Sequence, residues 1–428
     1  MKLVVRNGRL LDPQSRLDAV ADVLIEDGLI AAVGPRLSAP GAATIDAAGL
    51  IVVPGFIDMH THLREPGQEH KETIATGARA AARGGFTSVC AMPNTRPVND
   101  SAEVTAFILE RAAQQSFVRV FPIAAVSRGL EGRDATDMAA LAAAGAIAFS
   151  DDGRCIRNSA LLRRALETAR SIGRLVIDHC EDHALTEGAV MNEGPASRAL
   201  NLRGWPAAAE DIIIARDILL AEALDARVHI AHLSTAGGVR LVREAKRRGV
   251  RVTAEATPHH LLLTDEALAS RDPRFKVNPP LRGAEDVRAL VEAVRDGTVD
   301  VLATDHAPHA AEEKAAGLEK APFGVVGLET AVSVLLDRLV RPGLLPLERF
   351  VDMWSAKPSE ILGLSALGRI APGAAGDLTL LDLECDVIVR SGEFESKGRN
   401  TPFDGWTLRG APVRTIVGGR PVPAEVRS

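Results

Sequence analysis

Cysteine is scarce in this chain of 428 residues, and the four that occur, Cys90, Cys155, Cys180 and Cys385, stand far apart. Their spacing matches neither a zinc knuckle nor a redox pair. Reduced, mostly buried thiols are expected instead. A basic excess is also missing. The net charge of -6 and pI near 6.0 leave no footprint for nucleic acid and no polybasic run for a membrane surface, so the expected partner is a small-molecule substrate. The amino-terminal stretch MKLVVRNGRLLDPQ breaks its apolar run at Arg6 and Asn7 and lacks a signal-peptide core, so a cytoplasmic location is expected. No fixed-period repeat or low-complexity segment occurs. Aromatic residues make up only 3%, yet 46% hydrophobic and 25% charged residues are the composition of an ordinary globular protein with a sizeable core.

The length points to one large α/β domain with an accessory one. Residues 21–34, ADVLIEDGLIAAVG, read as two strands joined at Asp27-Gly28, where both positions tolerate positive φ. Near the other end, VRTIVGGRPV turns at Gly418-Gly419, and GDLTLLDL supplies another strand. Neither terminal segment alone has chain enough for a comfortable core, so the two are expected to pack together as one small β domain. Between them, helical stretches such as ETIATGARAAARGG, SALLRRALETARSIG and AEDVRALVEAVRDG alternate with eight apolar runs: GFIDM, TSVCAM, VFPIAA, AIAFS, LVID, VHIA, VTAEA and VLAT. This rhythm predicts parallel strands with crossover helices, and eight such units predict a closed (β/α)8 barrel.

Several runs end in residues a buried strand would not otherwise choose. The first leads into GFIDMHTHLREP, residues 55–66, where His60 and His62 share a face because residues i and i+2 of a strand do. The fourth reaches Asp151-Asp152-Gly153, the fifth His179, the sixth His232 and the eighth Asp305. In barrels of this kind the carboxyl ends of the strands carry the active site. Four histidines with two or more carboxylates on one rim form a nitrogen and oxygen ligand set suited to Zn2+ or a similar divalent ion. Spacing does not choose between Asp151 and Asp152. His229, three residues before His232, is expected to face the other way and pack beneath a helix. His259 and His260 follow strand seven with either a supporting or an ordinary loop role, and His70, His183 and His306 lie in loops near the rim.

The runs DMHTHLREP (58–66) and ATDHAPHAAEEK (303–314) resemble the two signature segments of dihydroorotases in the amidohydrolase superfamily. AMPNTRP, FSDDG, IDHCED, AHLST, TPHHL, NPPLR and PFGVVGLET follow in the order and spacing of the bacterial class I enzymes, so the resemblance spans essentially the whole chain. It implies a (β/α)8 barrel over residues 55–365, flanked by a β-sandwich built from residues 1–54 and 366–428. It also implies one or two Zn2+ per chain, two being the expectation. His60, His62 and Asp305 would hold one, His179 and His232 the other, and Asp152, the aspartate before the glycine, would bridge them.

The activity implied is the reversible cyclisation of N-carbamoyl-L-aspartate to dihydroorotate, with Asp305 moving a proton between the attacking water and the leaving ring nitrogen. Arg64, with Asn94 and His309, would grip the exocyclic carboxylate, since a guanidinium offers two parallel donors. Asn278 and the backbone near Pro322 and Gly324 would hold the ring amide. A homodimer is expected; association with aspartate carbamoyltransferase, a role that some non-catalytic dihydroorotase-like chains fill, is open to an active enzyme as well. Dihydropyrimidinases and hydantoinases share the barrel but typically bridge their metals with a carboxylated lysine after strand four, and this chain has no lysine between Lys71 and Lys246. A scaffold without catalysis generally lacks metal ligands, and here all six are present.

Overall fold

The computed structural model is described over residues 1–423. Its centre is an eight-stranded parallel sheet: Phe56–Thr61, Phe86–Ala91, Arg119–Ala124, Ala148–Phe149, Val176–Asp178, Val228–Ile230, Val252–Ala256 and Val301–Leu302, neighbours in chain order. These are the eight apolar runs, and they are called strands one to eight below. Each pairing is parallel, because a helical segment returns the chain to the starting edge before the next strand. Strands one and eight close the ring through a bridge between Thr61 and His306, with the His62 N–H donating to the His306 carbonyl at 2.8 Å.

Local sequence explains the crossovers. The helix Ile74–Arg83 starts at Thr73, whose hydroxyl accepts from the Thr76 N–H while Thr76 returns the bond. Asn158 and Thr235 cap Ser159–Ser171 and Ala236–Arg247 with their side-chain oxygens, without a returned bond. All six residues of strand one are buried, as expected where helices cover the outside of a sheet and side chains fill its inside.

The termini form a second eight-stranded sheet, joined where Leu378–Ile388 runs antiparallel to Ile51–Pro54. The Asp27-Gly28 turn links Leu17–Glu26 to Leu29–Gly34, with φ of +48° and +86°. The Gly418-Gly419 turn, at +55° and +75°, links Thr407–Val417 to Arg420–Pro421. Both are two-residue hairpins of the kind expected. Leu3, Val5, Val23, Ile25, Leu380 and Ile416 gather in the core of this sheet. Gly55 connects it to strand one, and no larger residue fits there: a Cβ would lie 2.3 Å from the Thr87 hydroxyl.

One feature has no counterpart in the expected pattern. Between strands five and six the chain makes an excursion with its own two-stranded ladder, Met191–Asn192 against Gly204–Trp205. Arg282 pins it to the barrel. Its guanidinium, 1% exposed, donates to Glu210, Ser234, the Asn192 side chain and the Trp205 carbonyl. Cys90, Cys155 and Cys180 are buried, Cys385 is partly buried, and all four are free thiols. Among the described residues, no helix is long and apolar enough to cross a membrane.

Candidate metal centre and substrate pocket

The carboxyl ends of strands one, four, five, six and eight bring six side chains to one buried point. Asp152 Oδ1 lies 3.4 Å from His60 Nε2, 3.4 Å from His179 Nδ1 and 3.5 Å from His232 Nε2, while its Oδ2 lies 3.4 Å from His62 Nε2. Asp305 Oδ1 stands 3.2 Å from His62 Nε2 and 3.5 Å from His60 Nε2. Ligand atoms about 2.0–2.1 Å from a shared tetrahedral Zn2+ stand roughly 3.3–3.4 Å apart, so most of these separations are those of atoms arranged around cations. His179 Nδ1 and His232 Nε2 are closer, at 2.8 Å. His60 Nε2 and Asp152 Oδ1 are buried and, among the described residues, have no hydrogen-bond partner. Orphaned polar atoms at the middle of a histidine and carboxylate cluster fit a divalent metal.

The outer nitrogen of three rings is engaged, which points the inner one into the cluster. His60 Nδ1 meets Glu255 at 2.5 Å, His62 Nδ1 meets Asn94 Oδ1 at 2.8 Å, and His179 Nε2 meets Glu181 at 3.0 Å. Burial alone would raise the Asp152 carboxyl, but His60, His179 and His232 outweigh it and hold the group well below the usual carboxylate range. Asp305 is likewise held low, burial being overcome by His60 and His62. Backbone geometry is strained at two of the six positions, His232 and Asp305 with φ of +30° and +47°, and at the neighbouring Arg64 with +63°. Non-glycine residues hold such angles only where surroundings enforce them, and they gather at functional sites.

The structure separates the two adjacent aspartates. Asp151 turns away, accepting the N–H groups of Val126 and Ser127, each at 2.9 Å, and the Ser127 hydroxyl at 2.5 Å. His229 departs from expectation: rather than packing beneath a helix, it faces Glu255 at 3.2 Å and Thr253 at 2.8 Å. Strand six ends at Ile230 and the left-handed turn at His232 resets the direction, so strict alternation does not relate the two histidines. His260 is a structural group, bonded to Thr257 and to the Pro279 carbonyl. His259 is buried with Nε2 unpartnered among the described residues, and burial lowers it to about 4. His306 braces Glu72 at 3.3 Å, His183 reaches Glu181 at 3.2 Å, and His70 is exposed.

Beside the cluster lies Arg64, 7% exposed, with Nε donating to the Pro308 carbonyl at 3.2 Å and Nη2 3.5 Å from His309 Nε2. Burial lowers it to about 10, Asp305 and Asp152 opposing that shift, so it stays cationic at neutral pH. Burial, with Arg64, Lys314 and Lys71 nearby, lowers His309 to about 2 and keeps it neutral. A cavity of about 550 Å³ opens between Glu181, Trp205, Lys276, Asn278 and Phe323. Asn278 donates to Glu181 at 3.2 Å and keeps a buried carbonyl oxygen without a partner among the described residues. The backbone of Gly324 is already engaged: its N–H donates to Lys276 and its carbonyl accepts from Asn400. The Pro322 carbonyl accepts from Lys314 at 2.9 Å.

A further buried group, Asp178, Cys180 and Asp217, has metal-like spacing, but the Arg216 guanidinium already pairs with both carboxylates at 2.7 and 2.8 Å. Sequence reasoning passed over Glu255 and Glu181. The signal for Glu255 was available: in VTAEA, Thr253 and Glu255 occupy alternate positions, so one face of a buried strand is polar.

Known proteins similar to this chain are cyclic amide hydrolases. A family model described as dihydro-orotase-like matches residues 49–237. A dihydroorotase of Pelotomaculum thermopropionicum is 53% identical over 423 residues, 99% of this chain and 98% of its own. One from Bacillus cytotoxicus is 47% identical, covering 98% of each chain. Among solved structures, an L-hydantoinase (dihydropyrimidinase) from Arthrobacter aurescens superposes with a TM-score of 0.89 at 28% identity, over 99% of this chain and 96% of that one.

Proposed function

This chain belongs to the dihydroorotase family, a family of cyclic amide hydrolases, and from that premise we propose that it catalyses the reversible, zinc-dependent closure of N-carbamoyl-L-aspartate to (S)-dihydroorotate in pyrimidine biosynthesis. The observation that carries the reading is the meeting of six ligand groups beside a buried, charged Arg64.

His60, His62 and Asp305 would hold one Zn2+, His179 and His232 a second, with Asp152 between them. When bound, such cations polarise an amide carbonyl and lower the pKa of a water from 15.7 to about 7. Asp305 takes a proton from the attacking water and delivers it to the ring nitrogen as the amide opens, and in cyclisation it runs the reverse transfer. Arg64, beside a neutral His309 whose Nε2–H donates to the Phe323 carbonyl at 2.7 Å, presents two parallel N–H donors to the exocyclic carboxylate, and Asn94, held on His62 Nδ1, assists it. The unpartnered Asn278 oxygen accepts from a ring N–H at the mouth of the cavity.

The fold likeness to hydantoinases favours a second reading, hydrolysis of rings without a carboxylate. Arg64 and the aspartate at the bridging position argue against it. The test is an assay of metal-stripped protein on dihydroorotate and on dihydrouracil, with and without added Zn2+. Zinc-restored activity far higher on dihydroorotate than on dihydrouracil is expected. A preference for dihydrouracil, or full activity after stripping, would overturn the proposal.

A further inference from the structure

Glu255 stands on strand seven, which contributes none of the six groups assigned above to metal. Its carboxylate nevertheless reaches two of them. Oε1 accepts from His60 Nδ1 at 2.5 Å and from the backbone N–H of His232 at 3.0 Å. Oε2 faces His229 Nε2 at 3.2 Å, and the far side of that ring rests on Thr253 at 2.8 Å. The Glu255 carbonyl accepts the next N–H along, that of Leu233, at 2.9 Å. Glu255, His60 and His229 are fully buried, so water does not compete for these bonds.

We propose that Glu255 is the positioning residue for both halves of the metal centre, fixing the ring of His60 on one side and the turn that carries His232 on the other. The proposal rests on the metal-centre reading above. Toward His60 it acts through the ring: holding the proton on Nδ1 aims the Nε2 lone pair at Asp152 and Asp305, and an anion behind an imidazole makes it a stronger donor to a cation. Toward His232 it acts through the backbone. The residue sits at φ +30°, and the bonds to the N–H groups of 232 and 233 hold that turn in place. His229, buttressed by Thr253, fixes the second oxygen and stops the carboxylate rotating. One side chain therefore sets the spacing between ligands from strands one and six.

Glu255→Gln separates this role from simple support of the fold. The amide keeps the shape and every hydrogen bond, its NH2 turned to His229 in that ring's other tautomer, and removes only the charge. The Zn2+ dissociation constant, measured by chelator competition, is expected to rise roughly 10–100-fold, with the melting temperature of the metal-free protein little changed. Glu255→Asp, which keeps the charge but withdraws it from His60, is expected to weaken zinc at least about tenfold and stands in should the glutamine variant fail to fold. Wild-type zinc affinity in either folded variant would overturn the proposal, as would a lower metal-free melting temperature with unchanged affinity, which is the mark of a purely structural role. Wild-type protein that binds no zinc would overturn the metal-centre reading itself, an outcome visible without any variant.

Discussion

Asp151 and Asp152, adjacent in sequence, aim their carboxylates at opposite sides: Asp151 into the N–H groups of Val126 and Ser127, Asp152 into His60, His62, His179 and His232. If Asp152 is the bridge, as proposed above, its permanent carboxylate makes carbon dioxide unnecessary for assembly. Metal-stripped protein is therefore expected to regain full activity with Zn2+ alone in bicarbonate-free buffer. Asp152→Asn should lose binuclear metal binding, since a neutral amide is a poorer ligand for a dication, whereas Asp151→Asn should bind metal normally and lose stability instead. A bicarbonate requirement, or full metal content in Asp152→Asn, would move the bridge elsewhere.

Asp305→Asn keeps size and removes the proposed base. Turnover of dihydroorotate is expected to fall about 100-fold or more, in line with general-base contributions. Because Asp305 also lies 3.2 Å from His62 Nε2, metal content has to be measured alongside the rates. A loss of turnover at full metal content isolates the proton transfer, and near-normal turnover would remove Asp305 from that role.

Most of this site was legible because strands of a parallel barrel are short, apolar and terminated abruptly, so a histidine or aspartate at the end of such a run stands out. His60, His62, His179, His232 and Asp305 were all found in that way. What could not be read was direction at the irregular positions. The left-handed turn at His232 defeats the alternation rule that sent His229 outward, and no spacing argument tells Asp151 from Asp152. The excursion carrying Asn192 and Trp205 was missed because two-residue strands have no periodicity to detect. Its anchor, Arg282, looks in sequence like any surface arginine.

That anchor yields a stability prediction. Arg282 and Glu210 are 1% and 2% exposed in side chain and paired at 3.1 Å. Arg282→Ala leaves a buried carboxylate without its partner and should cost about 3–5 kcal/mol in urea unfolding. Replacing both, with Arg282→Met and Glu210→Leu, should recover part of the loss by removing the unpaired charge, while Ser234, the Asn192 side chain and the Trp205 carbonyl are left without their partners. Equal losses in the single and double variants would mean that the bonds to Asn192 and the Trp205 carbonyl, rather than the ion pair, hold the excursion.

Arg64→Lys tests the reading of the substrate. The left-handed backbone at φ +63° and the Nε bond to the Pro308 carbonyl hold the guanidinium in one orientation, with Nη2 toward His309. A lysine keeps the charge but has a single donor head, so one charge-assisted hydrogen bond to the carboxylate is lost, and the Michaelis constant for dihydroorotate should rise about tenfold to a hundredfold. Any residual activity on dihydrouracil, which lacks that carboxylate, should be nearly unchanged. The comparison between the two rings is what decides, because a general disturbance of the metal centre would depress both. If the substitution weakens both substrates equally, Arg64 supports the neighbouring ligands His60 and His62 rather than reading the carboxylate, and the selectivity for dihydroorotate must come from another side chain of the rim.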